Sequence, residues 1–401
     1  MIDNKRIGIS FFAKGDYDNA IKHLEQAIID DINDPEIYYQ LAVIYAGKRE
    51  YEKALNFSDR AVALDPTYGG YHVNRGAILG SLGRIKEALQ QYQLAVKLSP
   101  NSPVAHWNLA FEQLKYPRYW EEGWKNYAYR KLHSPTHYAR SFLPAPPKGF
   151  HQNKDKVLLI HGEQGLGDGA FGMRFLKNLK QEFKKVHLEV TPALVNLFFG
   201  HPYIDDIFAR PADGAFPYPE ADYNMPMLDL VDWIGVKYKD LKNYAPPYLF
   251  PDEELVEAFK QQLPIGPNIG VCWHGSRTHA NDCNRSIPCE MLEPVKNYGE
   301  VIALTTEPPT IDLLTGDSFL SDAKYTLALC ASLDMVITVD TFIANLCGAA
   351  NIPCMVLHPY VMEWRWHHKE LYPSCINIRQ KEIGNWETVV SEVCTRLEAL
   401  K

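Results

Sequence analysis

The sequence predicts an N-terminal all-α solenoid followed by an α/β region made of two Rossmann-like domains. Two observations support this: a 34-residue period in the first 100 residues, and an alternation of short apolar runs with helical segments after residue 153. At 401 residues the chain is too long for one ordinary hydrophobic core, so two or three domains are expected. The predicted boundaries are 1–132 for the solenoid, 133–153 for a proline-rich linker, 154–265 for the first α/β domain and 266–401 for the second.

The bulk composition is that of a mildly acidic globular protein. Hydrophobic residues make up 46% of the chain, charged residues 22%, and the formal net charge is −8. This charge gives the molecule as a whole no attraction for nucleic acid. No apolar run approaches the ~18–20 residues of a membrane helix, and the N-terminus lacks a signal-peptide apolar region. None of the eight cysteines forms a CxxC pair, so we expect a cytoplasmic protein with buried, reduced thiols.

Small residues recur every 34 positions in the N-terminal region. They are Ala20, Ala54 and Ala88; Ala27, Ala61 and Ala95; and Gly8, Ala42, Gly76 and Ala110. The predicted turns between paired helices lie at Tyr17, Tyr51 and Ile85, and two repeats close at Pro66 and Pro100. Small side chains at fixed positions let two antiparallel helices approach closely, while larger apolar positions pack on the next repeat.

This helix–turn–helix period resembles the tetratricopeptide repeat. Three repeats are clear within residues 1–100, and a fourth, degenerate copy runs through residues 107–124. The closing proline of the first repeat is Pro35, a few residues late, which predicts a longer loop there. The resemblance implies a concave surface for a peptide, a protein partner or an acceptor. The alternative is a dimerisation or spacing module without a ligand.

Six short apolar runs alternate with helical segments beyond the linker. They are Val157–Ile160, Val186–Val190, Ile269–Trp273, Val301–Leu304, Met335–Val339 and Cys354–Leu357. Buried strands separated by helices predict parallel sheets covered on both faces. Ligands bind outside the carboxyl ends of such strands, so functional side chains are expected on loops that follow strands and face a cleft between the sheets. The last helix, over residues 385–400, is a candidate to pack across the joint between the two α/β domains.

The first such loop is glycine-rich and follows the strand at Val157–Ile160. Gly165 and Gly167 allow sharp turning and close approach of the backbone to a ligand, and Asp168 stands at the start of the next helix. The alternative is that Asp168 only caps that helix. The loop lacks the GKS/GKT ending of a P-loop and the GxGxxG spacing of a dehydrogenase, which disfavours both classes.

The second loop, residues 274–288, combines histidines and arginines after the strand at Ile269–Trp273. His274, Arg277 and Arg285 suit an anionic ligand, because the guanidinium group offers a planar fork of donors to phosphate oxygens. No HxH or HExxH pattern accompanies the histidines, so no metal site is expected.

The third loop carries Asp340, Thr341 and Phe342, where a strand passes into a helix. Free amides at a helix N-terminus can seat a diphosphate, and the Thr341 hydroxyl can add a hydrogen bond. The pair is equally a good helix cap without a ligand. A fourth segment, residues 358–368, is rich in aromatic residues. It is interpreted either as a surface that stacks on sugar or base faces, with Arg365 beside it, or as packing beneath a domain closure.

Together, the ordered segments GEQGLGD, WHGSRTHANDCNRSIP, SLDMVITVDTFIANLCGA and WRW resemble one family. They resemble bacterial proteins that join tetratricopeptide repeats to a heptosyltransferase-like (family 9) glycosyltransferase module of the GT-B fold. The chain is more distantly similar to the architecture of O-linked N-acetylglucosamine transferase. The resemblance implies inverting transfer of a sugar from a nucleotide-diphosphate sugar donor, in the cleft between the two domains and without a required metal or other cofactor.

The resemblance also implies residue roles. Asp168 would be the general base, and Arg285 would neutralise the departing diphosphate. The residues that would hold the diphosphate or the ribose are Asp340, Thr341 and the amide of Phe342.

Glu307 would reach the nucleoside of the donor. The chain departs from the family at Asn345, because the family usually has a histidine there and asparagine cannot carry a positive charge. This departure leaves room for a non-catalytic interaction protein with a degenerate GT-B module, and a nucleotide-sugar epimerase is a further alternative. The acceptor remains open between protein, glycan, lipid-linked sugar and modified nucleic acid, and self-association through the repeats is compatible with the sequence.

Overall fold

The computed structural model describes residues 3–133, 143–148, 153–163, 165–210, 220–279, 281–316 and 319–400. The chain divides into two compact units, Met1–Pro135 and Thr136–Lys401. We refer to them as the repeat unit and the α/β unit and describe each by itself.

The repeat unit is all-α, and its helices pack in consecutive pairs. Its helices are α1 (Asn4–Ala13), α2 (Tyr17–Asp30), α3 (Pro35–Gly47), α4 (Tyr51–Leu64), α5 (Gly69–Ser81), α6 (Ile85–Leu98), α7 (Pro103–Gln113), the 3-10 turn Pro117–Tyr119, α8 (Trp120–Tyr127) and α9 (Arg130–His133). The predicted turn residues are the first residues of α2, α4 and α6. The small residues of the 34-residue period are buried between the helices, as the sequence predicts.

The longer loop predicted near Pro35 is wrong. Residues 31–34, 65–68 and 99–102 separate successive repeats, so all three connections have the same length. Pro35 is the first residue of α3, as Pro103 is of α7. Proline suits this position because its fixed φ is helical and the amide it lacks would have no partner there.

One hydrogen bond recurs in the repeats and joins each to the end of the preceding one. The donor stands at the fourth position of the repeat and the acceptor is a backbone carbonyl six residues earlier. The three bonds are Tyr38 Oη to Ile32 O at 3.0 Å, His72 Nε2 to Pro66 O at 3.0 Å and His106 Nε2 to Pro100 O at 2.8 Å. These bonds give a partner to a carbonyl group in each connection between repeats and tie the connection to the following helix.

The size of the side chain at the eighth position of a repeat matches its partner on the second helix. A Cβ on Gly76 would lie 2.7 Å from the Tyr92 ring, and a Cβ on Gly8 would lie 2.7 Å from Leu24. The second repeat has Ala42 and Ser58 at the positions of Gly76 and Tyr92. A glycine therefore stands where the partner is large, which keeps the helices in close contact.

The α/β unit contains two parallel sheets. The first sheet has the order β3-β2-β1-β4 and the second has the order β10-β9-β8-β5-β6-β7. The strands are β1 (Val157–His161), β2 (Lys185–Val190), β3 (Asp206–Ala209), β4 (Tyr223–Pro226), β5 (Asn268–Cys272), β6 (Glu300–Ala303), β7 (Leu314–Thr315), β8 (Met335–Val339), β9 (Cys354–His358) and β10 (Cys375–Arg379). Each sheet reverses its strand order next to its first strand, at β1/β4 and β5/β8, as in a Rossmann-like domain.

Helices cover these sheets and connect the strands. They are Leu166–Gly172, Leu176–Leu179, Pro192–Phe198, Leu230–Ile234, Glu253–Lys260, Asp282–Arg285, Ala323–Ser332, Phe342–Ala350 and Glu387–Glu398, with 3-10 segments Met173–Phe175, Met227–Asp229, Tyr238–Tyr244, Cys289–Tyr298 and Trp364–His367. The six predicted strands are confirmed, each within one residue of its predicted ends. Strands β3, β4, β7 and β10 were not predicted, because three of them are partly exposed or only two residues long and β4 ends in proline.

The last helix packs on the second sheet. Trp386, Val389 and Val393 belong to the same buried cluster as Ile269 and Ile337, which lie on β5 and β8. The helix therefore completes the second half of the α/β unit and does not pack across the joint, contrary to the alternative suggested by the sequence.

Candidate functional site

Elements that follow strands of the two sheets meet in the α/β unit. The helix Leu166–Gly172 follows β1, and the helix Phe342–Ala350 follows β8. A Cβ on Gly167 would lie 3.1 Å from Nδ2 of Asn345, so the two helices approach closely at their N-terminal ends. The glycine-rich turn of the first sheet and the Asp340–Thr341 turn of the second therefore lie side by side.

Asp168 is held from both halves of the α/β unit. Its Oδ2 accepts a hydrogen bond of 3.2 Å from the Gly165 amide, which closes the N-terminal turn of its own helix. Its Oδ1 forms an ion pair with the Arg365 guanidinium group. The Arg365 guanidinium lies 5.0 Å from the centroid of the Phe171 ring and 4.6 Å from that of Trp364. The side chain that the sequence suggests as the base is thus ion-paired across the joint.

Glu363 is a third partner in this cluster, and no motif in the sequence indicates it. Its Oε1 lies 2.8 Å from Nη1 of Arg365, and its Oε2 accepts a 2.8 Å hydrogen bond from the Arg365 amide. Burial raises the pKa of the Glu363 carboxyl above its ordinary value. Only its place in the polar and aromatic segment 358–368 could have indicated a role.

Arg285 lies against the turn that precedes the helix Phe342–Ala350. Its Nη1 donates a 3.1 Å hydrogen bond to the Asp340 carbonyl, and its Nε is 3.6 Å from Asp282. A Cβ on Gly275 would overlap the guanidinium group, so the glycine makes room for this position of Arg285. The cation is therefore fixed beside the N-terminus of a helix, where both favour an anion.

The charges of the three turns lie around His279. Burial lowers the pKa of this imidazole, and the Arg285 charge lowers it further. The carboxylates that oppose the shift are Asp340, Asp282 and Asp168. The turns themselves are in contact, because Arg285 donates to the Asp340 carbonyl and Gly167, next to Asp168, lies beside Asn345 on the helix that follows Asp340.

Arg277, His274 and Glu307 form a cluster of their own. The Arg277 guanidinium binds both carboxylate oxygens of Glu307 at 2.7 and 2.8 Å and lies 3.2 Å from Asp282. His274 Nε2 is 3.1 Å from Glu307 and 2.6 Å from the Thr305 hydroxyl. The charge of Arg277 is thus balanced within the cluster.

Thr341, Phe342 and Asn345 begin the helix after β8, and two of their side chains face inward. The Thr341 hydroxyl is 2.9 Å from that of Thr338, and both residues are buried. Asn345 is 7% exposed; its Nδ2 donates to the Thr341 carbonyl and its Oδ1 accepts from the Tyr372 hydroxyl, each at 2.9 Å. Asn345 therefore supports the joint, while the Phe342 amide remains at a helix N-terminus without a side-chain cap.

The aromatic segment packs beneath the joint. Trp364 and Trp366 are both buried. The Trp364 ring meets Phe171 edge-on at 5.5 Å, and the Trp366 ring lies 5.1 Å from Tyr372. Of the two interpretations of this segment, packing is correct for both tryptophans, because neither ring is available to stack on a sugar.

Two further arginines support the site and carry no sequence motif. Arg174 is buried; its Nη2 donates to the Tyr248 hydroxyl at 2.7 Å and to the Leu371 carbonyl at 3.3 Å. It thereby connects the first half of the α/β unit to the second. Arg210 pairs with the buried Glu189 at 2.6 Å and also donates to the Gly162 carbonyl, which fixes the start of the glycine-rich turn.

Across the described ranges, no group of three or more His, Cys, Asp or Glu side chains is arranged to hold a metal ion. Nor does any helix in those ranges combine the length and apolar character that a membrane span needs. All eight cysteines are free thiols, and Cys283 alone among them is exposed.

Two family models match the N-terminal region: a TPR repeat over residues 8–48 and a tetratricopeptide repeat over residues 34–99. The chain is 26% identical to protein FlbA of Caulobacter vibrioides over 419 aligned positions, which cover 94% of this chain and 69% of FlbA. It is 31% identical to the TPR repeat-containing protein MJ1428 of Methanocaldococcus jannaschii over 103 positions, 26% of this chain and 18% of that protein.

Solved structures of repeat proteins match the same region. The crystal structure of MamA is 20% identical, covers 34% of this chain and 80% of its own, and has a TM-score of 0.30. The first TPR of Spaghetti (RPAP3), bound to an HSP90 peptide, is 28% identical, with coverages of 26% and 84% and a TM-score of 0.26. The chain thus joins N-terminal tetratricopeptide repeats to a C-terminal α/β region of two parallel sheets, and it is similar to FlbA over most of its length.

Proposed function

We propose that the α/β unit is a GT-B-like glycosyltransferase that moves a sugar from a nucleotide-diphosphate sugar donor to an acceptor hydroxyl, with inversion. One observation carries the proposal. Asp168, Arg285 and Asp340 come from loops that follow three different strands, yet these loops are in contact. Arg285 donates to the Asp340 carbonyl at 3.1 Å, and Gly167, next to Asp168, lies beside Asn345 on the helix that follows Asp340. An acid–base group beside an anion seat, between two Rossmann-like sheets, is the arrangement that such a transfer requires.

The donor diphosphate would lie between Arg285 and the amides at the start of the helix Phe342–Ala350. The Arg285 guanidinium is already fixed by the Asp340 carbonyl, so little reorganisation is needed when an anion binds. As the bond between the anomeric carbon and the phosphate oxygen breaks, negative charge grows on the diphosphate. A fixed guanidinium and helix amides stabilise that charge without a required metal.

Asp168 would accept the proton of the acceptor hydroxyl as its oxygen attacks the anomeric carbon. General-base assistance of this kind contributes about 10²–10⁴ in rate. The carboxylate can do this only when one of its oxygens faces the acceptor, so its ion pair with Arg365 has to be shared or opened during the reaction. Its two partners come from different halves of the unit, the Gly165 amide from the first and the Arg365 guanidinium group from the second.

The repeat unit would present a peptide or protein, which we propose as the source of the acceptor or as a separate partner. The fifth and sixth positions of the later repeats carry Tyr39 and Gln40, Val73 and Asn74, and Trp107 and Asn108. All six of these side chains are half-buried, so each has a part exposed to solvent. Groups of this kind can bind the backbone of an extended segment. The solved Spaghetti (RPAP3) repeats are described with bound peptides.

A non-catalytic interaction protein is the second candidate. It is favoured by the pairing of Asp168 with Arg365 and by the inward orientation of Thr341 and Asn345. In this case the three turns would hold the two halves of the unit together and would bind a nucleotide sugar without transferring it, or bind none.

The decisive experiment compares Asp168→Asn and Arg285→Gln with wild type, using a panel of nucleotide sugars and peptide or protein acceptors. We expect Asp168→Asn to lower transfer and donor hydrolysis by about 10²-fold or more while donor affinity stays nearly unchanged. Arg285→Gln should instead weaken binding of the nucleotide diphosphate by about tenfold or more, because a charge-assisted contact is lost. Asp155→Asn, at an exposed acid of the same unit, is the matched control.

Trp107→Ala in the same assay separates the two units. It should raise the acceptor KM and leave hydrolysis of the donor alone unchanged. Wild-type turnover in Asp168→Asn would show that another group is the base. If no nucleotide sugar is turned over and no nucleotide diphosphate raises the melting temperature, the interaction protein is the better description.

A further inference from the structure

The Arg365 guanidinium is shared between two carboxylates. Its Nη2 pairs with Asp168 and its Nη1 with Glu363. The side chains of Arg365, Asp168 and Glu363 are 12%, 19% and 27% exposed, so water screens the three charges only in part. The guanidinium also packs against the rings of Phe171 and Trp364, which restricts its movement when the charge of either carboxylate changes.

We propose that Glu363 is a positioning residue that controls, through Arg365, how strongly Asp168 is held, and so sets the pH range in which Asp168 can accept a proton. This inference rests on the proposed glycosyltransferase function. It assigns no contact with the substrate to Glu363, whose two oxygens both accept hydrogen bonds from Arg365.

The mechanism follows from the charge on Glu363. When Glu363 is ionised, the Arg365 charge is divided between two carboxylates, and Asp168 is free to take the proton from the acceptor oxygen. The acceptor oxygen then bonds to the anomeric carbon as the bond from that carbon to the phosphate oxygen breaks. When Glu363 is protonated, Arg365 pairs mainly with Asp168 and opposes its protonation. Transfer should therefore slow on the acid side.

The surroundings of Glu363 place its change of charge near neutral pH. Burial is the largest influence and raises the pKa of Glu363 to about 7. Among the charged groups that face it, Arg365 lowers this pKa and the carboxylates Asp340 and Asp168 raise it. A carboxyl with an ordinary pKa would stay ionised over the whole neutral range and could not act in this way.

The first test compares the pH profiles of kcat/KM for wild type and Glu363→Gln across neutral pH. Glutamine reproduces the uncharged state, so we expect about a tenfold lower kcat/KM on the alkaline side and an acid limb that is lost or moved to lower pH. The donor KM should change little. Glu370→Gln, at an exposed acid seven residues along the chain, is the matched control and should keep the wild-type profile.

The second test does not require turnover. The titration of the Glu363 carboxyl is followed by ¹³C NMR in the full-length chain, in wild type and in Asp168→Asn. We expect the Glu363 midpoint to fall by on the order of one pH unit in the variant, because one repelling charge is removed and Arg365 is no longer shared.

The two tests distinguish the failure of each proposal. If wild type transfers sugar and Glu363→Gln has the wild-type level and profile, the role of Glu363 is overturned while the glycosyltransferase function stands. If the Glu363 midpoint is the same in wild type and in Asp168→Asn, the coupling does not exist, whether or not the protein transfers sugar. If the midpoint shifts but no donor is turned over, the proposed function fails and the charge coupling through Arg365 remains.

Discussion

The repeat unit and the α/β unit differ in how far along the chain their decisive contacts reach. In the repeat unit, Gly76 meets Tyr92 on the next helix, and the equivalent positions recur one period away. In the α/β unit, Asp168 and Arg365 are separated by 197 residues. Short-range contacts repeat and can be recognised as a period, whereas the site is assembled once, by the topology of two sheets.

This difference affects how each unit responds to a destabilising substitution. A repeat contacts mainly its neighbours, so the effect of a substitution is expected to stay local. The joint between the two halves of the α/β unit is a single set of connected groups. Arg174 of the first half contacts Leu371 and the Tyr372 ring of the second, and Tyr372 in turn donates to Asn345. A destabilising substitution in the joint should therefore also disturb the candidate site.

Gly348→Leu is the substitution with the largest expected effect on the α/β unit. A Cβ on Gly348 would overlap the ring of Tyr372, which is buried and donates to Asn345. Overpacking a well-packed core typically costs about 1–3 kcal/mol and occasionally more, and a leucine at this site belongs at the upper end. We expect a loss of about 3 kcal/mol in the free energy of unfolding of the α/β unit, measured by urea denaturation, together with loss of nucleotide binding.

Gly47→Leu is the control, since no atom lies within 4 Å of the position of its Cβ and Gly47 is exposed. It should leave stability unchanged or slightly raised, because leucine is a better helix former than glycine. If Gly348→Leu were equally harmless, the joint would not be the interlocked unit described here.

The pair Gly76 and Tyr92 tests whether the residue at the eighth position of a repeat has to match the size of its partner on the second helix. Gly76→Ala should destabilise the protein by about 1–3 kcal/mol, because its Cβ would lie 2.7 Å from the Tyr92 ring. In a Tyr92→Ser background, the same substitution produces the alanine–serine pair that the second repeat has at Ala42 and Ser58, and it should cost nothing or stabilise the helix. The coupling energy from the double-mutant cycle should reach about 1–3 kcal/mol.

Hydrogen exchange should show the loss of protection from Gly76→Ala in α5, α6 and their neighbouring helices. If Gly76→Ala had the same cost with Tyr92 and with serine at that position, the two substitutions would be additive. That result would contradict the size match between the eighth position and its partner.

The sequence could predict the repeats and the six buried strands because both depend on local patterns. Strand β10 was not predicted because Asn377 and Arg379 interrupt its apolar residues, so this edge strand has no continuous apolar run. Pro35 was misinterpreted because a proline that closes one repeat and one that begins the next helix differ by only a few positions.

The candidate site could be predicted only in part. Loops that follow parallel strands must meet at one edge, so the closeness of Asp168, Arg285 and Asp340 follows from topology. Which atoms each side chain contacts does not follow from topology. Asn345 hydrogen-bonds within the joint, and no spacing rule connects Glu363 to Asp168, because Arg365 joins them in space only.

The smallest expected effect is a loss of stability of the α/β unit at mildly acidic pH. It tests whether the α/β unit is also more sensitive to protonation than the repeat unit. Burial lowers the pKa of His201 and of His358 below the ordinary value of 6.5. The unfolded chain then binds protons more readily than the folded one, so their contribution to stability is complete above about pH 6.5 and falls as the pH decreases below it. Glu363 contributes to the stability with the opposite sign, since its pKa is raised. The two contributions partly cancel in the total free energy of unfolding, so the effect has to be measured at one segment.

Hydrogen exchange of the segment around His201, measured at neutral and mildly acidic pH, provides that local measurement. The His201 ring donates from Nε2 to the Tyr248 carbonyl at 3.0 Å, and this contact joins the segment to the chain between the two sheets. Protection there should decrease on acidification in wild type and should change less in His201→Gln, which removes the titrating group and keeps a donor. In the repeats, contacts are mainly between neighbouring helices, and α5 and α7 should keep their protection over the same range. If α5 and α7 lost protection at a higher pH than the segment around His201, the α/β unit would not be the more acid-sensitive of the two. Its long-range contacts would then not explain its response.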